Sequence, residues 1–157
     1  MTTTKLNDNG HGDAEQCVLR IQEAINTHDL AALVDCFAPD YASEFPAHLE
    51  RCFQGHGQLR ANWTQIFAGV PDIQASLIRS SVSVNVVWSE WEWKGTRRDG
   101  AIFWQRGVTI QGVTDGRVAW ARLYIEPVLS AAEGAAVPVT ITGPPSEIVA
   151  PSGQSAS

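Results

Sequence analysis

The segment VVWSEWEWKGTRRDG alternates tryptophans with carboxylates before it reaches a basic, Gly-containing turn. Side chains two residues apart on a β-strand point to the same face of the sheet. One face would carry Trp88, Glu90 and Glu92, and the other would carry Trp91 and Trp93. Burying two carboxylates without partners has a large desolvation cost. We therefore expect Trp91 and Trp93 to face the protein interior and the glutamates to face outward.

A second group of residues, His48, Cys52 and His56, recurs at every fourth position. On a helix this spacing would align three possible metal ligands. Pro46 precedes the run and Gly55 interrupts it, which favours a loop. We expect no metal site here.

The length of 157 residues indicates one domain. The formal net charge of -6 indicates no electrostatic attraction for nucleic acid or for an anionic membrane. The basic residues Lys94, Arg97 and Arg98 form too short a cluster to reverse this, and we interpret them as part of a solvated turn. Three cysteines without a recognisable signal peptide favour reduced thiols and a cytoplasmic location. No stretch has the length and hydropathy of a transmembrane helix.

The first half of the chain has the periodicity of helices. Apolar residues recur at helical spacing over 14–25 and 30–37, which predicts two amphipathic helices. Pro39 ends the second helix. The following segment DYASEF alternates Tyr41, Ser43 and Phe45 against Ala42 and Glu44, as a short strand would. A third helix is predicted at 57–68.

The second half has the alternation of β-strands, with four predicted strands at 73–79, 82–93, 102–113 and 117–127. Asp99-Gly100 and Asp115-Gly116 are typical of tight hairpin turns. Helices followed by an antiparallel meander indicate an α+β protein. We expect a conical fold in which three N-terminal helices pack on a curved, mainly antiparallel sheet.

The two ends of the chain differ in composition from its middle. Residues 1–12 are polar and Gly-rich, and residues 129–157 are rich in Ala, Pro and Ser. Such segments bury too little apolar surface to offset their ordering entropy. We therefore expect one domain over 13–128 between two tails.

These elements resemble the SnoaL-like branch of the nuclear transport factor two superfamily, which includes polyketide cyclases, ketosteroid isomerases, limonene epoxide hydrolases and scytalone dehydratase. The resemblance rests on the segments FAPDYASEFP, GHGQLRANWTQIFAGVPDI, EWEWKGTRRDGAIFWQRGVTI and DGRVAWARLYIEPV. It covers 13–128 and implies the conical fold. It implies little about chemistry, because this fold supports many activities and some proteins that only bind ligands.

The catalytic positions of the ketosteroid isomerases match Ile21, Phe45 and Val108 here. None of these side chains can exchange a proton, so the resemblance does not extend to that mechanism. Where many SnoaL-like sequences have a histidine, this chain has Glu44.

The resemblance places Glu44 and Arg106 inside an otherwise apolar, tryptophan-rich pocket as its candidate catalytic residues. If the two side chains touch, they form a salt bridge that is structural or orients a substrate. If they are apart, desolvation would raise the pKa of Glu44 and suit it to acid–base chemistry, while Arg106 would stabilise a substrate oxyanion. Alternatively, Glu44 points to solvent. The expected substrate-binding residues are Tyr41, Phe45, His48, Trp63, Trp91, Trp93, Trp104, Val108, Leu123 and Ile125.

The outward face of the sheet would combine aromatic rings with matched charges. These features suit an isologous homodimer, in which Arg122 could pair with Glu90 or Glu92. The alternative is a solvated face with weak ion pairs. The residues expected at this interface are Trp88, Glu90, Glu92, Arg122 and Tyr124.

The sequence thus predicts a SnoaL-like protein that binds an apolar, carbonyl-containing small molecule. It would act either as a cofactor-free isomerase, cyclase or dehydratase, or as a non-catalytic ligand-binding or dimerisation module. An epoxide hydrolase would need two carboxylates beside an arginine, for which one Glu and one Arg are thin support. No Gly-rich phosphate loop or flavin motif is present, so no cofactor is expected.

Overall fold

The structure is a computed structural model that describes residues 9–129. Apart from Leu129, the predicted C-terminal tail lies outside the described residues, as do residues 1–8.

Three α-helices precede most of the sheet: α1 (Asn9–Asn26), α2 (Leu30–Asp35) and α3 (His56–Gly69). Helix α1 begins at Asn9, before the expected start of the domain at 13. Helix α2 is capped by Asp29, whose carboxylate accepts a hydrogen bond from the backbone N–H of Ala32 at 2.9 Å. A 3-10 turn at Leu49–Arg51 lies between α2 and α3.

The sheet has six strands in the order β2-β1-β6-β5-β4-β3. Strand β1 runs parallel to β6, and the other neighbours are antiparallel. The short strand β2 was not predicted, because two residues carry no periodic signal. The strand bounds are β1 Phe37–Glu44, β2 Phe53–Gln54, β3 Gln74–Ser83, β4 Val86–Thr96, β5 Ile102–Thr114 and β6 Arg117–Pro127.

The two predicted Asp-Gly turns connect β4 to β5 and β5 to β6. Asp115 and Gly116 have φ of 51° and 72°, the left-handed values of a tight type I′ hairpin. Gly100 has φ of 85° and closes a slightly longer loop, in which Arg97 N–H donates to the Ala101 carbonyl at 2.8 Å. Both turns hold long neighbouring strands in register.

The helices pack on the concave face of the curved sheet, and the core lies between them. The conical α+β fold predicted from the sequence is therefore confirmed. At the end of β4, the carboxylate of Asp72 accepts a hydrogen bond from the backbone N–H of Thr96 at 2.6 Å. This bond lowers the pKa of Asp72, and it ties the turn after α3 to β4.

Candidate functional site

A cavity of about 210 Å³ lies inside the cone, between helices α1 and α3 and the concave face of the sheet. Ile21 and Ile25 of α1 and Leu59 and Trp63 of α3 form its helical wall. These residues lie on the buried faces of their helices, so the same periodicity that builds the core also builds the wall. We call this space the inner cavity.

Three tryptophans give the inner cavity its shape. Trp91 and Trp93 on β4 face inward as predicted, and Trp91 is only 2% exposed. Trp63 on α3 meets Trp93 edge to face, with ring centroids 5.7 Å apart. A flat, apolar ligand would contact rigid aromatic surfaces on two sides.

A directional chain of hydrogen bonds crosses the sheet wall of the cavity. The indole N–H of Trp91 donates to the hydroxyl of Thr109 at 3.0 Å, and this hydroxyl donates to Oε1 of Gln111 at 3.4 Å. Thr109 and Gln111 are buried residues of β5. Because the Gln111 oxygen already accepts a hydrogen bond, its amide nitrogen is the group left to donate to a ligand.

Two further groups on the cavity wall are hydrogen-bond donors. The indole N–H of Trp93 is buried and has no partner among the described residues. Burial raises the pKa of Tyr41 to about 12, with hydrogen bonding from Ser43 acting in the opposite direction. The phenol therefore stays protonated at neutral pH, and the wall presents donors for an acceptor atom.

Glu44 does not lie in the inner cavity, so this part of the sequence prediction is wrong. Tyr41 and Ser43 of β1 face inward, and the alternation of the strand turns Glu44 outward. There it accepts a hydrogen bond from Arg122 Nε at 2.8 Å. On the outward face the carboxylate stays in contact with solvent and avoids the cost of burial.

The prediction that Trp104, Arg106 and Val108 face the cavity is also wrong. Strand β5 turns Gln105, Thr109 and Gln111 inward and the even-numbered residues outward. Trp104 Nε1 donates to Glu92 at 3.1 Å, and Arg106 forms a salt bridge with the same carboxylate. Glu44 and Arg106 are therefore not brought together.

His48, also expected in the pocket, lies outside it. Its Nε2 is 2.6 Å from a carboxylate oxygen of Glu126 at the end of β6. Cys52 accepts a hydrogen bond from the backbone of Phe45, and His56 contacts the Phe37 carbonyl. The part of the chain that the structure describes contains no group of three residues that could hold a metal ion.

The remaining predicted pocket residues do line the inner cavity: Tyr41, Phe45, Trp63, Trp91, Trp93, Leu123 and Ile125. The polar lining was missed. In the sequence, polar residues that alternate with apolar ones are typical of an outward face, and in β5 the charge of Arg106 was the one sign that this interpretation should be reversed. The missed lining residues are Ser43, Arg51, Asn62, Gln105, Thr109 and Gln111.

A family model described as a SnoaL-like domain matches residues 18–121 of the chain. The chain belongs to the SnoaL-like family. The match begins in α1 and ends in β6, so it includes the inner cavity's lining residues except Leu123 and Ile125. No curated protein matches the chain in sequence.

Solved structures confirm the fold of this SnoaL-like domain. An NTF2-like protein from Anabaena variabilis is 19% identical, with a TM-score of 0.66 over 82% of this chain and 97% of that one. A candidate polyketide cyclase from Xanthomonas campestris is 17% identical, with a TM-score of 0.64 over 72% and 90%. An LEH-like epoxide hydrolase from M. tuberculosis is 16% identical, with a TM-score of 0.61 over 73% and 84%. These identities support the shared fold.

The convex face of the SnoaL-like sheet, opposite the helices, carries exposed aromatic rings and ion pairs. Trp88 and Tyr124 are 52% and 41% exposed. Arg79 pairs with Glu90 at 2.6 Å. Within the chain Arg122 bonds Glu44, and neither Glu90 nor Glu92 is its partner.

An open groove of about 960 Å³ lies outside the inner cavity, between the loop before α3, helix α3 and the β4–β5 turn. We call it the mouth groove. Phe45, Arg51, Phe53, Asn62 and Ile66 line both the groove and the cavity. The two spaces therefore adjoin at these residues.

None of the helices in the described residues is long and apolar enough to cross a membrane.

Proposed function

We propose that this SnoaL-like domain binds a compact apolar or aromatic molecule that carries a carbonyl or another acceptor oxygen. The observation that supports the proposal is that the wall of an otherwise apolar cavity carries hydrogen-bond donors. The hydrogen bonds from Trp91 to Thr109 and from Thr109 to Gln111 leave the Gln111 amide nitrogen as a donor. An acceptor oxygen of a ligand could bond this amide, and an acceptor beside Trp93 would pair its buried indole N–H, which has no partner among the described residues.

The charges of the cavity favour binding over acid–base catalysis. Among the described residues, no Asp, Glu, His or Lys lines the inner cavity, and Arg51 is its one charged side chain. A base that removes a proton next to a carbonyl must be within hydrogen-bond reach of it. A non-catalytic binding module is therefore the function that this geometry supports best.

Calorimetric titration with tetralone, a bicyclic aromatic ketone, tests the proposal. Ala121 lines the cavity and is 1% exposed, so Ala121→Met should fill space needed by the ligand and weaken binding by about tenfold or more. Ala31→Met is the matched control at an exposed position of α2. Circular dichroism checks that both variants are folded.

Wild-type protein that fails to bind tetralone, or a folded Ala121→Met variant that binds it unchanged, would contradict the proposal. Leu123→Trp provides a second filling variant on the same wall. It gives the same test if Ala121→Met does not fold.

A cofactor-free isomerase, cyclase or dehydratase is the second candidate, and Tyr41 is the residue that favours it. A neutral phenol in the cavity wall can donate a hydrogen bond to a carbonyl as charge develops on its oxygen. Exchange of the α-protons of tetralone in D₂O, followed by NMR, measures such activation directly. Acceleration by the protein that is lost in Tyr41→Phe would support the enzyme, and no acceleration would support the binding module.

We also propose that two copies of the chain associate through their convex faces. Exposed Trp88 and Tyr124 beside the ion pair of Arg122 with Glu44 offer an apolar centre with a charged border. Light scattering after size exclusion should give a dimer mass for the wild type and a monomer mass for Trp88→Asp. A monomeric wild type at micromolar concentration would contradict this assembly.

A further inference from the structure

The mouth groove contains three of the arginines of an acidic chain: Arg51, Arg97 and Arg98. Arg51 lies in the turn before β2, and the other two lie in the β4–β5 turn. The fold therefore brings cations from two separate segments to one concave surface. Because Arg51 is far from Arg97 and Arg98 in the sequence, no sequence motif indicates this cluster.

Two of these arginines have no carboxylate within hydrogen-bond distance among the described residues. Arg97 places its guanidinium 5.4 Å from the ring centroid of Phe103, which also lines the groove. Arg51 Nε is 3.8 Å from a carboxylate oxygen of Glu50, a distance too long for a hydrogen bond. Arg98 differs, because it donates to the backbone carbonyl of Ala68.

The acidic residues of the groove, Glu50 and Asp99, leave both of these guanidinium groups without a hydrogen-bonded carboxylate. Asp99 accepts a hydrogen bond from the backbone N–H of Ala101 at 3.0 Å, so its carboxylate is held within its own turn. Glu50 lies between His48 Nδ1 at 3.7 Å and Arg51 at 3.8 Å, without a short bond to either. The guanidinium donors of Arg51 and Arg97 remain available to an anion.

Arg51 also connects the groove to the inner cavity. It lines both spaces together with Asn62 of α3, and the rings of Phe45 and Phe53 lie on the same boundary. A molecule whose apolar part fills the cavity would therefore extend into the groove across an apolar boundary, where it would pass the guanidinium of Arg51. The mouth groove is large enough for a substantial extension of such a molecule.

We infer that the mouth groove is a subsite for the anionic end of an amphiphilic ligand, with Arg51 and Arg97 as its recognition residues. The apolar body of the ligand occupies the inner cavity, so the inference rests on the proposed binding function. The ligand class is an apolar or aromatic molecule that carries an oxyanion, such as a carboxylate. The hydrogen-bond donors of the inner cavity then orient the buried end of the ligand, and Arg51 and Arg97 favour a ligand that carries a negative charge.

Naphthylacetate and naphthylacetamide form a matched pair of probes, because they have the same aromatic body and differ in charge. Calorimetry would compare both probes with the wild type, Arg51→Gln, Arg97→Gln and the control Arg60→Gln. Arg60 is exposed on α3 and lines neither the groove nor the cavity. The control therefore changes the net charge equally without touching the subsite.

We expect the wild type to bind the carboxylate at least about threefold more tightly than the amide. Arg51→Gln and Arg97→Gln should each weaken the binding of the carboxylate more than that of the amide and so reduce this preference, whereas Arg60→Gln should retain it. Added salt should weaken only the binding of the carboxylate.

Equal affinities of the wild type for the two probes would overturn the inference and leave the proposed binding function standing. Failure of the wild type to bind the amide would instead contradict the proposed function itself. If Arg60→Gln abolishes the preference as strongly as Arg51→Gln does, the net charge of the protein causes the preference. This result would also overturn the subsite.

Discussion

Arg122 Nε donates to the carboxylate of Glu44 at 2.8 Å on the convex face of the sheet, outside the inner cavity. Both side chains are about half exposed, at 53% and 49%. The family resemblance indicated Glu44 as a catalytic residue. Its bond to Arg122 holds it outside the space in which a ligand would bind. The account of the site therefore depends on neutral donors and aromatic walls, and Glu44 has no part in it.

Replacement of Glu44 by Gln should leave ligand binding in the cavity unchanged. The affinity for tetralone should stay within about twofold, and the free energy of unfolding should fall by about 0–1 kcal/mol, as for other exposed ion pairs. Calorimetry and urea unfolding measure the two quantities. Loss of tetralone binding in a folded Glu44→Gln variant would show that the carboxylate acts on the cavity.

The substitution Thr109→Val should destabilise the fold, because it removes the partner of a buried indole. Trp91 Nε1 donates to the Thr109 hydroxyl at 3.0 Å, and both residues are buried. A valine of similar shape leaves this N–H unpaired, which costs about 1–3 kcal/mol. Urea unfolding checks the loss, with Thr64→Val on the exposed side of α3 as the control. Equal stability of wild type and Thr109→Val would mean that the indole finds another partner.

Glu92 should make stability depend on pH in the acid range. Hydrogen bonds from Lys94, and then from Trp104 and Arg106, lower its pKa from 4.5 to about 2, against the effect of desolvation. Because the pKa is lower in the folded state, the stabilisation is fully present above pH 4.5 and is lost as the pH falls toward about 2.

Urea unfolding of wild type and Glu92→Gln from neutral pH to pH 2 measures this contribution. The difference in stability between the two proteins should be greatest above pH 4.5 and should shrink toward pH 2. Glu15→Gln, at an exposed position of α1, is the control for the loss of one carboxylate. A constant difference between wild type and Glu92→Gln at every pH would contradict the lowered pKa.

Gly107 allows β5 to approach β6 more closely than any side chain would permit. A Cβ at this position would clash with the Tyr124 carbonyl oxygen and lie 2.6 Å from Ile125 Cα, and backbone atoms cannot move aside cheaply. Gly107→Ala should lower the free energy of unfolding by about 1–3 kcal/mol or more. Gly57→Ala is the matched control, since nothing lies within 4 Å of a Cβ there. It should be neutral or stabilising in helix α3.

The sequence predicted the architecture because the helices and the four long strands β3 to β6 have strong periodic signals, whereas β2 has none. In β4, Glu90 and Glu92 decided which face is outward, because burying them would have been costly. In β5 the charged Arg106 was the corresponding marker, but the family resemblance placed it in the pocket. The apolar Trp104 and Val108 share its outward face, while the inward face carries polar residues such as Thr109. Alternation identified two faces there but could not assign them.

The error at Glu44 has a different origin. The alternation of DYASEF already placed Glu44 opposite Tyr41 and Ser43, and the family resemblance was given more weight than this local pattern. The pairing with Arg122 brings together β1 and β6, which are far apart in sequence and adjacent in the sheet. Periodicity within one segment cannot report such a contact.

The six tryptophans allow the central claim to be tested in one NMR titration, since each indole N–H gives its own signal. Trp63, Trp91 and Trp93 line the inner cavity, whereas Trp88, Trp104 and Trp120 lie elsewhere. Single Trp→Phe variants assign the signals before tetralone is added. The account predicts that the three cavity signals shift together and that the other three stay in place. Shifts confined to Trp88, Trp104 and Trp120 would contradict it.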